Sequence, residues 1–323
     1  MKEKDSVCAL IVTYNRKDYL LECIKCLTEQ TIKPDKILIF DNHSSDGTFE
    51  LLLDNNFIND NKEQIFRNIY KGIEIIYYYN SFNGGGSYGF SKGIELAKKE
   101  SCKYIWTMDD DVKPELNCLS ILLKALKTYR ICIPNRTDHN YRDKAIIYLN
   151  MKNPFKYSIK ARQKVIFSDE ITNDIVNVVN MPFEGPIFES NLIDEVGLPN
   201  KDLFIIFDDT DFAYRISKIT NIVFVKNAIL HKQIVPKKEK ERVMNWKNYY
   251  GLRNQYWFDI KYGNNIIVKK LRPWLSRNDQ LVRAILKRKW SNIKIIRAAY
   301  YDGTHGILGK TVEPGKEFSW KKS

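Results

Sequence analysis

Short apolar runs separated by stretches of helical periodicity set the pattern of about the first 130 residues. "VCALIV", "KILIFD", "IEIIYYY" and "YIWTMD" are apolar almost throughout and of strand length. Between and after them stand "DYLLECIKCLTEQ", "TFELLLDNN", "SYGFSKGIELAKKE" and "PELNCLSILLKALKT", where apolar residues recur every three or four positions. Continuous apolar runs predict strands buried on both faces, and their alternation with helices predicts βαβ units around a parallel sheet. The expected class is therefore α/β, a Rossmann-like, mostly parallel central sheet flanked by helices.

The pattern weakens between Ile131 and about Asn180, where "AIIYL", "KVIF" and "DIVNVV" predict further strands. "NLIDEVGLP" then predicts a short helix. "DLFIIFDDTDFAYRISK" begins apolar, turns acidic and becomes helical, and "NIVFV" predicts another strand ahead of His231. Beyond Pro236 the chain reads as basic, aromatic-rich helices. The expected division is an α/β domain over 1–235, in halves of about 1–130 and about 131–235. A basic helical region follows over 236–323.

Ligands of parallel sheets bind beyond the carboxyl ends of the strands. The four strands end in Thr13-Tyr14-Asn15-Arg16, in Asp41-Asn42-His43-Ser44-Ser45-Asp46-Gly47, in Asn80 to Gly86 and in Asp109-Asp110-Asp111, so these clusters should share one rim. "NGGGSYGFSKG" opens a helix directly after a strand. Glycines let backbone approach a ligand, and a helix N-terminus favours anions. The same run also suits a tight packing turn, and it is neither the dinucleotide fingerprint nor a Walker A loop.

The acidic triplet is the stronger signal. Burying one carboxylate costs several kcal/mol unless it is paired, whereas a hard divalent ion such as Mg²⁺ or Mn²⁺ seeks carboxylate oxygens. Alternation along an extended chain would turn Asp109 and Asp111 to one cavity and Asp110 away. The other reading is a strand end opening into water. In the second acidic cluster, Asp208-Asp209-Thr210-Asp211, one Asp suits a general base and another suits a helix cap. His231 could complete a carboxylate metal site or be structural; His43, His139 and His305 have weaker contexts.

Charge changes the picture of the C-terminal part. The chain carries a formal +13, yet residues 226–323 hold 23 Lys/Arg against 7 Asp/Glu, leaving the rest near neutral. Such a segment suggests an anionic partner. "IIVKKLRPWL" and "LVRAILKRKW" mix basic residues with Ile, Leu and Trp, which suits the surface of an anionic membrane or a helical cap folded onto the core. Cys23 and Cys26 have C-x-x-C spacing, but they lie in a periodic helix without a second pair, so reduced helix cysteines are expected. No charged-then-apolar leader opens the chain and no run reaches membrane-spanning length, so a cytoplasmic protein, peripheral at the inner face of the membrane, is expected.

Together "IVTYNR", "IFDNHSSDGT", "NSFNGGGSYGF", "WTMDDDVKP", "FEGPIFES", "FIIFDDTDFAYR" and "ILHK", in this order from Val7 to about His231, resemble glycosyltransferase family 2, inverting enzymes of the GT-A fold. The resemblance implies that Thr13, Tyr14, Arg16 and Asp41 contact the nucleotide, and that Asn83 and Gly84 to Gly86 approach the diphosphate or sugar. Asp109 and Asp111, with Asp110 between them beside the donor, match the family's metal-binding D-x-D. His231 resembles a third metal ligand, for Mn²⁺ or Mg²⁺. Asp209 matches the catalytic base with Asp208 as its neighbour, and Glu184 and Gly185 fall in the acceptor loop.

Within the family, the three glycines, the full D-D-D and "FDDTDF" look most like galactofuranosyltransferases using UDP-galactofuranose. Rhamnosyltransferases using dTDP-rhamnose are close behind. The Q-x-x-R-W motif of processive synthases is absent, which favours addition of one or a few residues. Family acceptors are often glycans or polyprenyl-diphosphate-linked sugars. Two other classes fit less well. A nucleotidyltransferase would carry a Gly- and Arg/Lys-rich loop where this chain reads "TYNRKDYL". A nucleic-acid-binding module would leave acidic clusters that repel phosphates, so no nucleic-acid partner is expected.

Overall fold

In the computed structural model, which describes residues 5–59, 65–137, 141–234 and 243–320, the first half alternates strand and helix. β1 (Val7–Thr13), α1 (Lys17–Thr28), β2 (Lys36–Asp41) and α2 (Thr48–Asp54) are followed by the β3 (Ile65–Tyr70) and β4 (Ile73–Tyr79) pair, then α3 (Gly86–Lys99), β5 (Tyr104–Asp109), the short β6 (Val112–Pro114) and α4 (Cys118–Ala125). The second half contributes β7 (Ile131–Thr137), β8 (Lys144–Leu149), α5 (Ile159–Arg162), β9 (Gln163–Phe167), β10 (Ile175–Val178), β11 (Ile187–Glu189), α6 (Leu192–Val196), α7 (Asp208–Ile216) and β12 (Ile222–Lys232). Three helices close the chain: α8 (Trp246–Tyr262), α9 (Ile266–Leu286) and α10 (Trp290–His305).

The main sheet runs β10-β12-β7-β11-β5-β1-β2-β4-β3, with β6 paired to β12. β1, β2, β4 and β5 are parallel neighbours, as the apolar runs predict. Their alternate residues feed two cores. Ala9, Ile11, Ile37 and Ile39 meet Leu20 and Ile24 of α1 on one face. Leu10, Leu38 and Phe40 meet Phe90 and Ile94 of α3 on the other. α3 lies close on β1 because a side chain at Gly89 would meet Val12 at 2.7 Å. β8 and β9 form a separate two-stranded ribbon.

The stretch "LFIIF" is not a strand. It passes through a 3-10 turn into a loop where Phe204, Ile206 and Phe207 all have positive φ, at 65°, 67° and 75°. Non-glycine residues seldom adopt that region, and a β-branched one least of all. α8 holds the loop. Asn254 Nδ2 donates to the carbonyls of Leu203, Ile205 and Ile206 at 3.0, 2.9 and 2.7 Å, and Arg253 Nη2 donates to Leu203 at 2.9 Å. Both side chains are fully buried.

All six cysteines are free, with Cys23 buried and Cys26 half-buried on α1. Among the described residues no helix is long and apolar enough to cross a membrane. His139 and the expected boundary at 235/236 lie outside the described residues.

Candidate active site

A cavity of about 490 Å³ opens at the carboxyl ends of β1, β2 and β5. Its walls include Thr13, Tyr14 and Arg16 after β1, Asn42 after β2, Asn83, Gly85 and Gly86 at the start of α3, and Asp109 and Asp110 after β5. Glu184, Asp208 and Asp209 close the opposite side, with Trp246 of α8 and Pro314. Side chains from both sides of the expected boundary thus line one space.

The expected rim is therefore present, with differences in detail. Asp41 is buried and does not line the cavity. Its Oδ1 accepts from Ser44 N at 2.7 Å and its Oδ2 from the Tyr77 hydroxyl at 2.8 Å. A separate cavity of about 510 Å³, lined in part by Ser44, Ser45 and Tyr77, lies beside it. Gly84 packs against Tyr88. Gly85 has φ of 83°, and a Cβ there would meet the Phe204 carbonyl at 2.4 Å. The glycine is thus what lets α3 and the strained loop approach. Asn83 Oδ1 accepts from Gly85 N at 2.9 Å, fixing that turn. Gly185 is buried, donates through its N–H to the Thr107 carbonyl and accepts from Trp106 Nε1, so it shapes the loop of Glu184 rather than lining the cavity.

In the triplet, Asp109 and Asp110 face the cavity, and the expected alternation fails because β5 ends at Asp109 and the next two residues form a turn. Asp110 accepts from Thr13 Oγ1 at 2.8 Å and from Arg16 Nη1 at 3.1 Å, and the same Arg16 atom reaches Asp111 at 3.2 Å. Burial pushes all three upward. Glu184 and the neighbouring acids push Asp109 further, well above the usual carboxylate range. Asp110 stands at about 6, held down by Arg16 and Thr13.

The buried Asp111 Oδ1 has no hydrogen-bond partner. A crowded carboxylate group with one unpartnered buried oxygen suits a hard divalent cation, with Asp109 and Asp111 as its protein ligands. His231 does not join them. β12 sets it opposite Lys113 of β6, and its Nε2 lies 3.0 Å from Glu115 Oε1 at the surface. Among the described residues no group of three or more His, Cys, Asp or Glu is arranged to hold a metal.

The neighbour of His231 faces the other way. Lys232 Nζ donates to Glu184 Oε1 at 2.6 Å, and Arg136 Nη1 donates to Glu184 Oε2 at 2.6 Å. Burial would raise Glu184, but these two cations outweigh it and hold the carboxyl below its ordinary value. Asn42 stood in the expected rim cluster, whereas sequence reasoning missed Arg136, Lys232, Trp246 and Pro314. Only Lys232 carried a signal, since it stands beside His231.

α7 begins at Asp208, directly after the strained loop, so its first turn carries Asp208, Asp209 and Asp211. Acids are favoured there by the helix dipole. Asp211 is structural, bound by Arg215 Nε, Lys261 Nζ and the Tyr262 hydroxyl. Asp209 Oδ1 accepts from the Thr210 N–H and hydroxyl. Burial, then the charge of Asp209, pushes Asp208 up to about 7. Burial also raises Asp209, with Glu184 adding and Thr210 and Arg136 opposing. Two adjacent carboxyls, both raised by burial, are suited to taking up a proton.

A family model described as "Glycosyl transferase family 2" matches residues 8–173. The galactofuranosyltransferase GlfT1 of Mycolicibacterium smegmatis is 24% identical over 227 residues, covering 67% of this chain and 67% of that protein. GlfT1 of Mycobacterium tuberculosis is 24% identical over 215 residues, 66% of this chain and 64% of that one. The abequosyltransferase RfbV of Salmonella typhimurium is 32% identical over 124 residues, 38% of this chain and 34% of that protein. The chain thus spans about two thirds of the GlfT1 relatives and a third of RfbV.

Among solved structures, GalNAc-T7 with UDP, GalNAc and Mn²⁺ superposes with a TM-score of 0.57 at 14% identity, over 89% of this chain and 58% of that one. S. aureus TarS 1-349 in complex with UDP-GlcNAc superposes with a TM-score of 0.55 at 11% identity, over 93% and 81%. These two likenesses are of fold, the GT-A architecture of a mostly parallel sheet between helices.

Proposed function

The chain belongs to glycosyltransferase family 2, and on that premise we propose that it is an inverting, metal-dependent enzyme transferring a sugar from a nucleotide-sugar donor to an acceptor hydroxyl. The observation that carries this reading is one cavity of about 490 Å³ in which the nucleotide-side residues Thr13, Arg16 and Asn83, the acids Asp109 and Asp110, and the Asp208-Asp209 pair all meet. The donor we favour is UDP-galactofuranose, supported by the 24% identity to GlfT1. Rhamnosyl transfer from dTDP-rhamnose is the second reading, and the 32% identity over 124 residues to the abequosyltransferase RfbV leaves the donor sugar open to it.

In this reading Thr13, Tyr14 and Arg16 bind the nucleotide, with Asp41 fixing the adjacent turn. Asn83 and Gly84 to Gly86 cradle the diphosphate at the start of α3. Asp109 and Asp111 hold Mg²⁺ or Mn²⁺, and His231 would have to leave Glu115 to add a third ligand. Such a cation, when bound, stabilises charge on the departing diphosphate. Asp209 accepts the acceptor's proton as its oxygen attacks the anomeric carbon. Asp208 keeps that proton within the buried pair. The transition state has oxocarbenium character, and one displacement inverts the anomeric configuration. Glu184, held ionised by Arg136 and Lys232, lines the acceptor side.

Residues 1–235 would form the catalytic unit, with 236–323 as a helical region that also completes the cavity. The acceptor would be a glycan or a polyprenyl-diphosphate-linked glycan. Exposed Ile266, Ile267, Trp274, Leu286 and Trp290 stand among the basic residues of α9 and α10. They support peripheral contact with an anionic membrane, at about 1 kcal/mol per near-surface Lys or Arg. A panel of nucleotide sugars with Mn²⁺, UDP-galactofuranose and dTDP-rhamnose included, tests the reading. Binding and slow hydrolysis of one of them is expected. Absence of both across the panel would refute it.

A further inference from the structure

Phe155, in the loop between β8 and α5, is 69% exposed, more than any other aromatic side chain among the described residues. Local bonds hold it out. Asn150 Oδ1 accepts from the N–H groups of Lys152 and Asn153 at 3.1 and 2.8 Å, and Asn153 Oδ1 accepts from Phe155 N at 2.9 Å. Pro154 stiffens the same turn by fixing its own φ. Ile159, at the start of α5, is 43% exposed. From Lys144 to Phe167 the chain holds six Lys/Arg and no Asp or Glu, and Lys152, Lys156 and Lys160 are exposed around the two apolar side chains.

This loop is fastened to the corner between α8 and α9. The Met151 carbonyl accepts from Asn264 N at 3.0 Å, and the Asn153 carbonyl accepts from Arg272 Nη2 at 2.7 Å. Behind it Arg162 gives Nη1 and Nη2 to Asp259 at 2.7 and 3.0 Å, and Arg272 Nη1 reaches the same carboxylate at 3.4 Å. All three charged side chains are buried, so opening this junction would strand charges away from water. The loop and α9 therefore form one rigid face. On α9, Ile267, Trp274 and Ile285 recur at spacings that return to one side of a helix, and all three are exposed. Val268, Arg272 and Ser276 are buried on the other side. The outward stripe is about 27 Å long, with the Phe155 loop at its N-terminal end. From Asn264 to Asn278 this segment also holds four Lys/Arg and no acid.

We infer that residues 150–160 are a second membrane anchor, which with the outward stripe of α9 seats one face of the protein on an anionic bilayer. The inference rests on the membrane contact proposed above and extends it from the C-terminal helices to a loop of the α/β part. Charge and apolar make-up decide the occupant together. A nucleic acid would match the lysines, but its bases stack on aromatic rings and would leave Ile159, Ile267 and Ile285 unmatched. A second copy packed about a two-fold axis would set the patch against itself, lysines facing lysines. An anionic bilayer takes the apolar side chains below its headgroups and the lysines among them. Ile159 also lines a cavity of about 370 Å³ that reaches Asp208 and Asp209, so the seated face adjoins the α7 acids.

The test is flotation of the full chain, at low salt, with vesicles of phosphatidylcholine alone or mixed with phosphatidylglycerol. The wild type should float with the anionic vesicles and not with the neutral ones. Phe155→Ser should weaken that binding at least about ten-fold with Tm unchanged. A second variant, Lys152→Gln, Lys156→Gln and Lys160→Gln together, should weaken it by at least as much, since a near-surface Lys contributes about five-fold. Trp274→Ser should also bind more weakly. Wild-type binding by both loop variants, with loss in Trp274→Ser alone, overturns the inference and leaves the helical contact standing. No vesicle binding by the wild type counts against the membrane contact itself, so the two failures are distinct. A dimer in solution that Phe155→Ser dissolves, or capture of an oligonucleotide in place of vesicles, gives the face another occupant and likewise overturns the inference.

Discussion

The acids after β5 and the acids at the start of α7 reach one cavity by opposite routes. The β5 triplet stands at the end of a strand paired on both sides, to β1 and to β11, with ordinary backbone. Its side chains are held locally, by Thr13 and Arg16 from the neighbouring strand end. The α7 pair follows a loop with three left-handed residues that no sheet supports. That loop is held from outside by Arg253 and Asn254 of α8. The first region is positioned by the sheet that contains it, and the second by a helix almost fifty residues further along the chain. Precision at a site therefore need not come from the element that bears the reactive groups.

Four measurements break or sharpen this contrast, from the largest effect down. Asp209→Asn should lose roughly 10²–10⁴-fold in turnover and keep donor affinity; near-normal kcat would remove its role as base. Asn254→Ala leaves buried loop carbonyls unsatisfied, at a cost on the order of 1–3 kcal/mol in stability. It should lower kcat about ten-fold or more, with donor KM nearly unchanged. Equal kcat in the variant and the wild type would mean that the loop holds itself, and the contrast would collapse.

The third concerns pH. The carboxyl of Asp208 stands at about 7 through burial and the charge of Asp209, above the ordinary 3.8. Glu184, bound by Arg136 and Lys232, lines the same pocket. A raised carboxyl stabilises the fold fully below about pH 4, and that contribution is lost as pH rises through 7. Asp208→Asn should therefore stabilise the fold relative to wild type at pH 8, by on the order of 4 kcal/mol for a carboxyl raised from 3.8 to about 7, and much less at pH 5, read as the difference in Tm. A Tm difference that stays constant across that range would contradict the assignment. The smallest effect is on the strand side. Thr13→Val removes one hydrogen bond to Asp110, worth about 1 kcal/mol, and should raise donor KM a few-fold without changing kcat.

The same contrast explains what could be read from the sequence. β1, β2, β4 and β5 were legible because strands buried on both faces are apolar end to end. The polar residues after them could be placed on one rim by the connection rule alone. β3, "IFRNIY", alternates exposed and buried at the sheet edge and carries no such run. β7, "ICIPNRT", is interrupted by Pro134, and β11 is only three residues long. "LFIIF" has a strand's composition, but tertiary contacts with α8 bend it into the left-handed loop.

The chemistry followed the same division. Asp109, Asp110, Asp208 and Asp209 stood out as clusters. The opposed orientations of His231 and Lys232 depend on the antiparallel pairing of β12 with β6, which no local pattern announces. Arg136, Asn254 and Trp246 were illegible because each acts across a contact between distant segments.

Pro314 lines the nucleotide cavity, and beside it the Val312 carbonyl accepts from the Tyr250 hydroxyl while the Val312 N–H donates back to the same oxygen. During synthesis, then, a ribosome must release nearly everything up to residue 314 before the pocket has its last wall. A nascent polypeptide that has already formed the whole sheet still lacks that wall.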